Sequence, residues 1–207
     1  MEDELIHTKP PKAYEQTIQK KYRNYKWILY FAIGGMSFMF LSLTLRYFIS
    51  SIHKPTINLT LNPLFYWNTI ILLASSAAVE LAKYHYRNDH FSKYKTMLLS
   101  ALSLGILFLF GQLMGCMLLF DSGFSFNHPS TAYLYVISGF HALHIIGGLV
   151  FLIVYISKSW NMLTNYVVSV VYFTDPVAYS QLKLFAVFWH FLGFIWIYLL
   201  FFFLLIK

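Results

Sequence analysis

Residues 97–120, from Met97 to Phe120, read MLLSALSLGILFLFGQLMGCMLLF without one charged side chain. An α-helix rises about 1.5 Å per residue and the hydrocarbon core of a bilayer is about 30 Å thick, so about 20 such residues cross it. The segment therefore reads as a spanning helix, and the rest of the chain is read against it.

Four further runs meet the same test: Trp27 to Leu45, Leu64 to Ala82, Thr131 to Ile156 and Leu184 to Ile206. The stretches between them carry turn and charge signals. Residues 50–63 hold Pro55 and Pro63, residues 83–96 are charged, residues 121–130 hold Gly123 and Pro129, and residues 157–183 hold Asp175-Pro176. Tyr166 to Phe173 is apolar but too short to span, so it lies at the interface or extends the fourth helix. Composition agrees: the chain is 58% hydrophobic and 11% charged, whereas soluble domains carry about 25% charged residues. The expected fold is all-α, an integral membrane bundle of five helices. Residues 1–26 form a polar N-terminal segment and residues 27–207 the membrane domain. Met1 to Lys26 has no apolar core with a small-residue cleavage site, so the first spanning helix is expected to act as its own insertion signal.

Charge predicts the orientation. Of 15 lysines and arginines, Arg46, Lys54 and Lys207 fall on one side of a five-span layout; the others fall in residues 1–26, 83–96 and 157–183 on the opposite side. Basic residues hold cytoplasmic loops in place, which puts the N-terminus in the cytoplasm and the C-terminus outside. The same distribution accounts for the net charge of +7, so nothing in the basic balance points to nucleic acid. The single cysteine, Cys116, builds no disulfide or CxxC site and reads as a small buried residue. No internal or inverted repeat of the transporter kind is visible.

Ionisable groups within a bilayer are costly, so each is a functional candidate. Glu80 shares a helical face with Thr69, Ser76 and Lys83. The spacing favours an i,i+3 ion pair with Lys83; a proton-handling or subunit-contacting carboxylate is the functional reading. His141 and His144 share a face of the fourth helix, and His190 lies on the fifth. At about 1.5 Å per residue His190 is roughly 9 Å from the cytoplasmic end of its helix and His144 roughly 20 Å, with His141 deeper still. Ligands of one metal must share one depth, which favours interhelical hydrogen bonding over a haem or copper site. Arg46, at the outer end of the first helix, snorkels to the headgroups or meets an anionic lipid or partner. Gly111 and Gly115 make a GxxxG pair, Ser75 to Ala78 line the second helix, and Gly139, Gly147 and Gly148 punctuate the fourth, all suited to close helix contact. No phosphate-cradling loop, nucleophile elbow or HExxH occurs.

Several segments in order resemble subunit III of haem–copper oxidases. They are Asn62-Pro63-Leu64-Phe65-Tyr66-Trp67-Asn68-Thr69 with Ser75-Ser76, then Gly111-Gln112-Leu113, then Gly139-Phe140-His141 through His144 to Gly147-Gly148, and Phe188-Trp189-His190-Phe191 with Trp196. Two family acids are missing: Met36 and Gly193 stand in their places. The resemblance implies a subunit of the shorter, five-helix bacterial type in the inner membrane. It implies a chain that binds no redox cofactor, with haem and copper in partner subunits. It would pack on subunit I beside subunit II and small subunits, bind phospholipid, meet cytochrome c only indirectly, and support stability and proton uptake during aerobic respiration. The candidate lipid- or subunit-interface residues are Arg46, Trp67, Asn68, Glu80, Gln112, His141, His144, Trp189, His190 and Trp196, with the face around His190 and Trp196 as the expected phospholipid site. The alternatives are a quinol oxidase or a nitric oxide reductase accessory, a stand-alone haem protein using the three histidines, and a transporter with Glu80 on its path.

Overall fold

The computed structural model of the chain describes residues 12–53, 63–122, 129–162 and 176–205. Five helices follow in order: α1 (Lys12–His53), α2 (Leu64–Arg87), α3 (Phe91–Asp121), α4 (Pro129–Met162) and α5 (Pro176–Leu205). All five are long and apolar enough to cross a membrane, and the described residues contain no strand.

The helices outrun the apolar segments that predict them. α1 begins at Lys12 rather than Trp27 and ends at His53 rather than Leu45. α2 continues through the charged residues Lys83 to Arg87, and α3 starts at Phe91 instead of Met97. A helix leaving the bilayer keeps its backbone bonds internal, so apolarity marks the span and not the element's end. α5 starts at Pro176, well before Leu184, because proline at a first helical position lacks only an amide that would be unpaired anyway. Tyr166 to Phe173, with Pro55, Gly123 and Asp175, lie outside the described residues.

The tight turn is between α2 and α3. The His90 amide donates to the His85 carbonyl at 3.1 Å and the Asp89 amide reaches the Tyr86 carbonyl at 3.5 Å. Those two bonds are a Schellman stop, and its left-handed position is filled by Asp89, with φ of 55°. Glycine is usual there; short polar side chains tolerate the conformation better than other residues. The turn folds α3 back along α2.

α2 and α3 make the most extensive pairing, α5 lies against α2, and α4 joins α3 to α5. α1 packs on the outer side of α4 and α5. It does so by one stripe, Met36, Phe40, Thr44 and Tyr47, at helical spacing. The main interior cluster spans α2 to α5 around Trp189, Leu72, Phe108 and Leu152. A second cluster joins α1 to α3, α4 and α5 through Phe40, Tyr47, Ile137, Ile195 and Leu199.

Glycine contact is concentrated at two places. A Cβ on Gly111 would overlap the Asn68 carboxamide, and one on Gly115 would sit 3.0 Å from the Phe65 ring, so the GxxxG pair faces α2. The Trp189 ring enters between Gly105 and Gly148, where a Cβ would meet it at 3.1 and 2.9 Å respectively. Gly139 and Gly147 have nothing within 4 Å among the described residues. Cys116, expected inside, is half-buried.

Candidate functional site

The polar residues of α2 and α5 form a seam along the bundle. Apolar contact cannot drive helices together in lipid, so close packing and interhelical hydrogen bonds hold such a seam. α2 and α5 run antiparallel, and three pairs step along them. His190 Nε2 lies 3.3 Å from Glu80 Oε2. Trp189 Nε1 donates to Ser75 Oγ at 3.2 Å, and Ser75 donates onward to the Ala101 carbonyl of α3 at 3.0 Å. Trp196 Nε1 donates to Thr69 Oγ1 at 3.0 Å, and Thr69 donates to the Phe65 carbonyl at 2.9 Å. Asn68 Nδ2 donates to the Phe108 carbonyl at 3.2 Å, tying α2 to α3 beside Gly111. Each hydroxyl works twice, as acceptor from an indole and as donor to a carbonyl.

Two smaller ties extend the network. The Tyr94 hydroxyl donates to that of Tyr155 at 3.1 Å, which donates to the Ala178 carbonyl at 3.2 Å, joining α3, α4 and α5. Thr44 Oγ1 and the Tyr198 hydroxyl, 2.8 Å apart, join α1 to α5.

Glu80 pairs with Lys83 at 2.8 Å, the i,i+3 geometry that the spacing predicts. The structure adds His190 from α5 to the same carboxylate. Glu80 is 57% exposed and His190 43% exposed, so this group is on the outside of the bundle. Beside it an open groove of about 940 Å³ is lined by Glu80, Lys83, Tyr84, Arg87 and Tyr179 among others.

The three histidines are not brought together. His190 meets Glu80, whereas His141 of α4 is stacked at 5.5 Å on Trp196, about two turns beyond His190 along α5. His144 Nδ1 is 2.6 Å from the Phe140 carbonyl of its own helix. His141 is wholly buried among rings from three other helices: besides Trp196, Phe40 lies at 6.2 Å and Phe108 at 6.0 Å. Among the described residues no cluster of three or more His, Cys, Asp or Glu is placed to hold a metal ion.

Of the sequence-derived candidates, Asn68, Gln112, His141, Trp189 and Trp196 are buried inside the chain. Trp196, expected on a lipid face, has its ring packed against Phe65, Phe108 and His141 and its N–H bound to Thr69. Arg46 and Trp67 are exposed, and His144 is half-buried. Sequence reading did not single out Thr44, Tyr94, Tyr155 or Tyr198. Their signal is weak, because a hydroxyl in an apolar helix usually bonds its own preceding turn.

The two positions without the expected acids are also placed. Met36 belongs to the buried stripe of α1. Gly193 faces the seam, where a Cβ would come 3.5 Å from Ser76 Oγ.

Comparison with known proteins agrees with this architecture. The family model described as cytochrome c oxidase subunit III matches residues 14–206, nearly the whole chain. A search of curated individual proteins finds no match. A multi-pass bundle with internally paired polar groups, matched over almost its full length, belongs to the cytochrome c oxidase subunit III family, the non-catalytic third subunit of haem–copper oxidases.

Proposed function

We propose that the chain is subunit III of a cytochrome c oxidase in a bacterial plasma membrane, with its N-terminus in the cytoplasm. It stabilises the catalytic subunit I, sits in a complex with subunit II and small subunits, and supports proton uptake without carrying electrons. The carrying observation is the arrangement of its polar groups. The seam groups are bound to one another inside the bundle, while the outward faces are apolar, including Phe31, Phe38, Trp67, Phe110 and Phe194. A chain built this way holds its shape and offers a surface to lipid and to another membrane subunit. Haem and copper then reside in partner subunits.

The exposed candidates supply the contacts in this reading. Arg46 and Trp67 face outward from α1 and α2. Lys83 and Arg87 line the groove next to Glu80, and basic residues at the cytoplasmic ends of membrane helices attract anionic headgroups. We place a phospholipid headgroup there, near His190 but away from Trp196. The buried candidates Asn68, Gln112, His141, Trp189 and Trp196 act from within, by fixing the helices that carry this surface.

Gentle purification through a tag on this chain tests the reading. Visible spectra are expected to show haem bands, and native mass spectrometry to show a large haem-bearing partner, a copper-bearing subunit II and retained phospholipid that Lys83→Ala/Arg87→Ala reduces. The oxidase lacking this chain should lose activity sooner during turnover. A colourless chain from a strain whose oxidase turns over normally without it would defeat the proposal. Haem bands without a copper-bearing subunit II would redirect it to a quinol oxidase.

A further inference from the structure

Hydroxyls on the outer faces of the spans satisfy themselves. Ser37, Ser42 and Ser100 each donate to a carbonyl of the preceding turn at 2.8 Å. An imidazole placed the same way uses only one of its two nitrogens. His144 of α4 is so placed: its Nδ1 lies 2.6 Å from the Phe140 carbonyl oxygen. A carbonyl oxygen only accepts, so Nδ1 carries the proton. In the neutral ring Nε2 is then left as a bare acceptor.

Among the described residues no donor pairs with Nε2. The His144 ring is half-buried. On the same helix Phe140 is 39% and Leu143 62% exposed, and Phe40 of α1 lies 5.9 Å from the ring. His144 therefore sits on the flank of the bundle beside α1, whereas His141, one turn away, is wholly enclosed. Depth decides what can cover the flank. His144 stands midway along the apolar run from Thr131 to Ile156, roughly 18 Å from either end. Headgroups and bulk water lie beyond the half-thickness of the hydrocarbon core, about 15 Å. Lipid tails carry no N–H or O–H, and an unpaired polar group among them is costly. A donor at this depth comes from protein, and protein facing lipid there is helical.

We propose that the flank at His144 is a contact with a transmembrane helix of a partner subunit, which presents a side-chain N–H or O–H to His144 Nε2. The inference rests on the reading of the chain as an oxidase subunit and adds the atom through which a partner is recognised. Because Nε2 accepts, the partner residue is a donor such as Ser, Thr, Tyr, Asn, Gln or Trp, and not a carboxylate. Apolar outer faces fit many helices; one acceptor in the middle of the span selects the helix and its register. The same ring packs on Phe40, so the partner is coupled to α1 as well as to α4.

A high-resolution cryo-EM map of the intact oxidase tests this. The expected result is a side-chain donor of another subunit about 3 Å from His144 Nε2. A map in which lipid, water or a group of this chain covers Nε2 overturns the proposal and leaves the subunit reading standing, whereas an oxidase without this chain defeats that reading. Two variants give a second readout. His144→Phe keeps a ring and removes the acceptor, and His144→Gln restores an acceptor. As detergent strips the complex, native mass spectrometry reads the bound-to-free ratio of this chain. It should fall roughly 3- to 15-fold for His144→Phe, the equivalent of one interhelical hydrogen bond in a membrane, and recover in His144→Gln. Equal retention in all three forms, or equal loss in both variants, overturns the proposal; if His144→Phe does not fold, the map of the unaltered oxidase decides.

Discussion

At the scale of single residues, the glycines show where backbone and side chain meet. The Trp189 ring fits between Gly105 and Gly148 because neither carries a Cβ. A side chain there pushes a ring that is itself fully buried and bound to Ser75. Gly148→Ala should therefore cost about 1–3 kcal/mol of bundle stability. Gly139→Ala and Gly147→Ala meet open space, and should be neutral or slightly stabilising through higher helix propensity. Thermal denaturation of the purified complex checks this; equal effects at Gly148 and Gly139 would refute it. The sequence displays all of these glycines, and their tolerance in a membrane helix is readable from type alone. Which glycine receives which side chain is not, since Gly148 and Gly147 are adjacent on the chain and only one of them faces Trp189.

At the scale of helices, the α2–α5 seam depends on hydroxyls that bond twice. Ser75 accepts from Trp189 and donates to Ala101, so it links three helices. Thr69 accepts from Trp196 but returns its own proton to Phe65 within α2. Ser75→Ala removes two interhelical bonds and Thr69→Val one, and each strands an indole N–H. Interhelical hydrogen bonds in membranes average about 0.6 kcal/mol and reach about 1.7, so Ser75→Ala should cost about twice as much. Chemical or thermal unfolding in mild detergent measures the ratio, and a larger loss for Thr69→Val would contradict the scheme. The length and apolarity of the runs foretold five helices, and helical spacing the Glu80–Lys83 pair, because both are local. It fell short at helix ends, where Asn88-Asp89 rather than glycine closes α2 and where polar residues continue the helix into water.

For the whole molecule, the least anchored element is α1. Only 11% of its most apolar window is buried, against 39% for α4 and for α5, so its attachment rests on the stripe from Met36 to Tyr47 and on the Thr44–Tyr198 bond. Phe40 is wholly buried and meets His141 and His144 edge-on or tilted, while Phe38 points outward. Residues 1–62 co-expressed with residues 63–207 should assemble, and Phe40→Ala should weaken the association by about 3–5 kcal/mol, with Phe38→Ala as the silent control. Pull-down of one piece by the other reads the result; equal retention in both variants would show that the stripe does not hold α1. The amino-acid sequence alone determined that this chain enters a bilayer, how many times it spans, and which residues could pair one turn apart. Those are consequences of length, apolarity and the helical period. Tertiary structure alone decided that His190 meets Glu80, that Trp189 and Trp196 are enclosed by their neighbours, and that Gln112 and His141 share the interior. The reason is physical: in lipid both the packed face and the outer face of a helix are apolar, so the period that marks the inside of a soluble helix carries little information, and rotation and axial register are settled only when the helices pack.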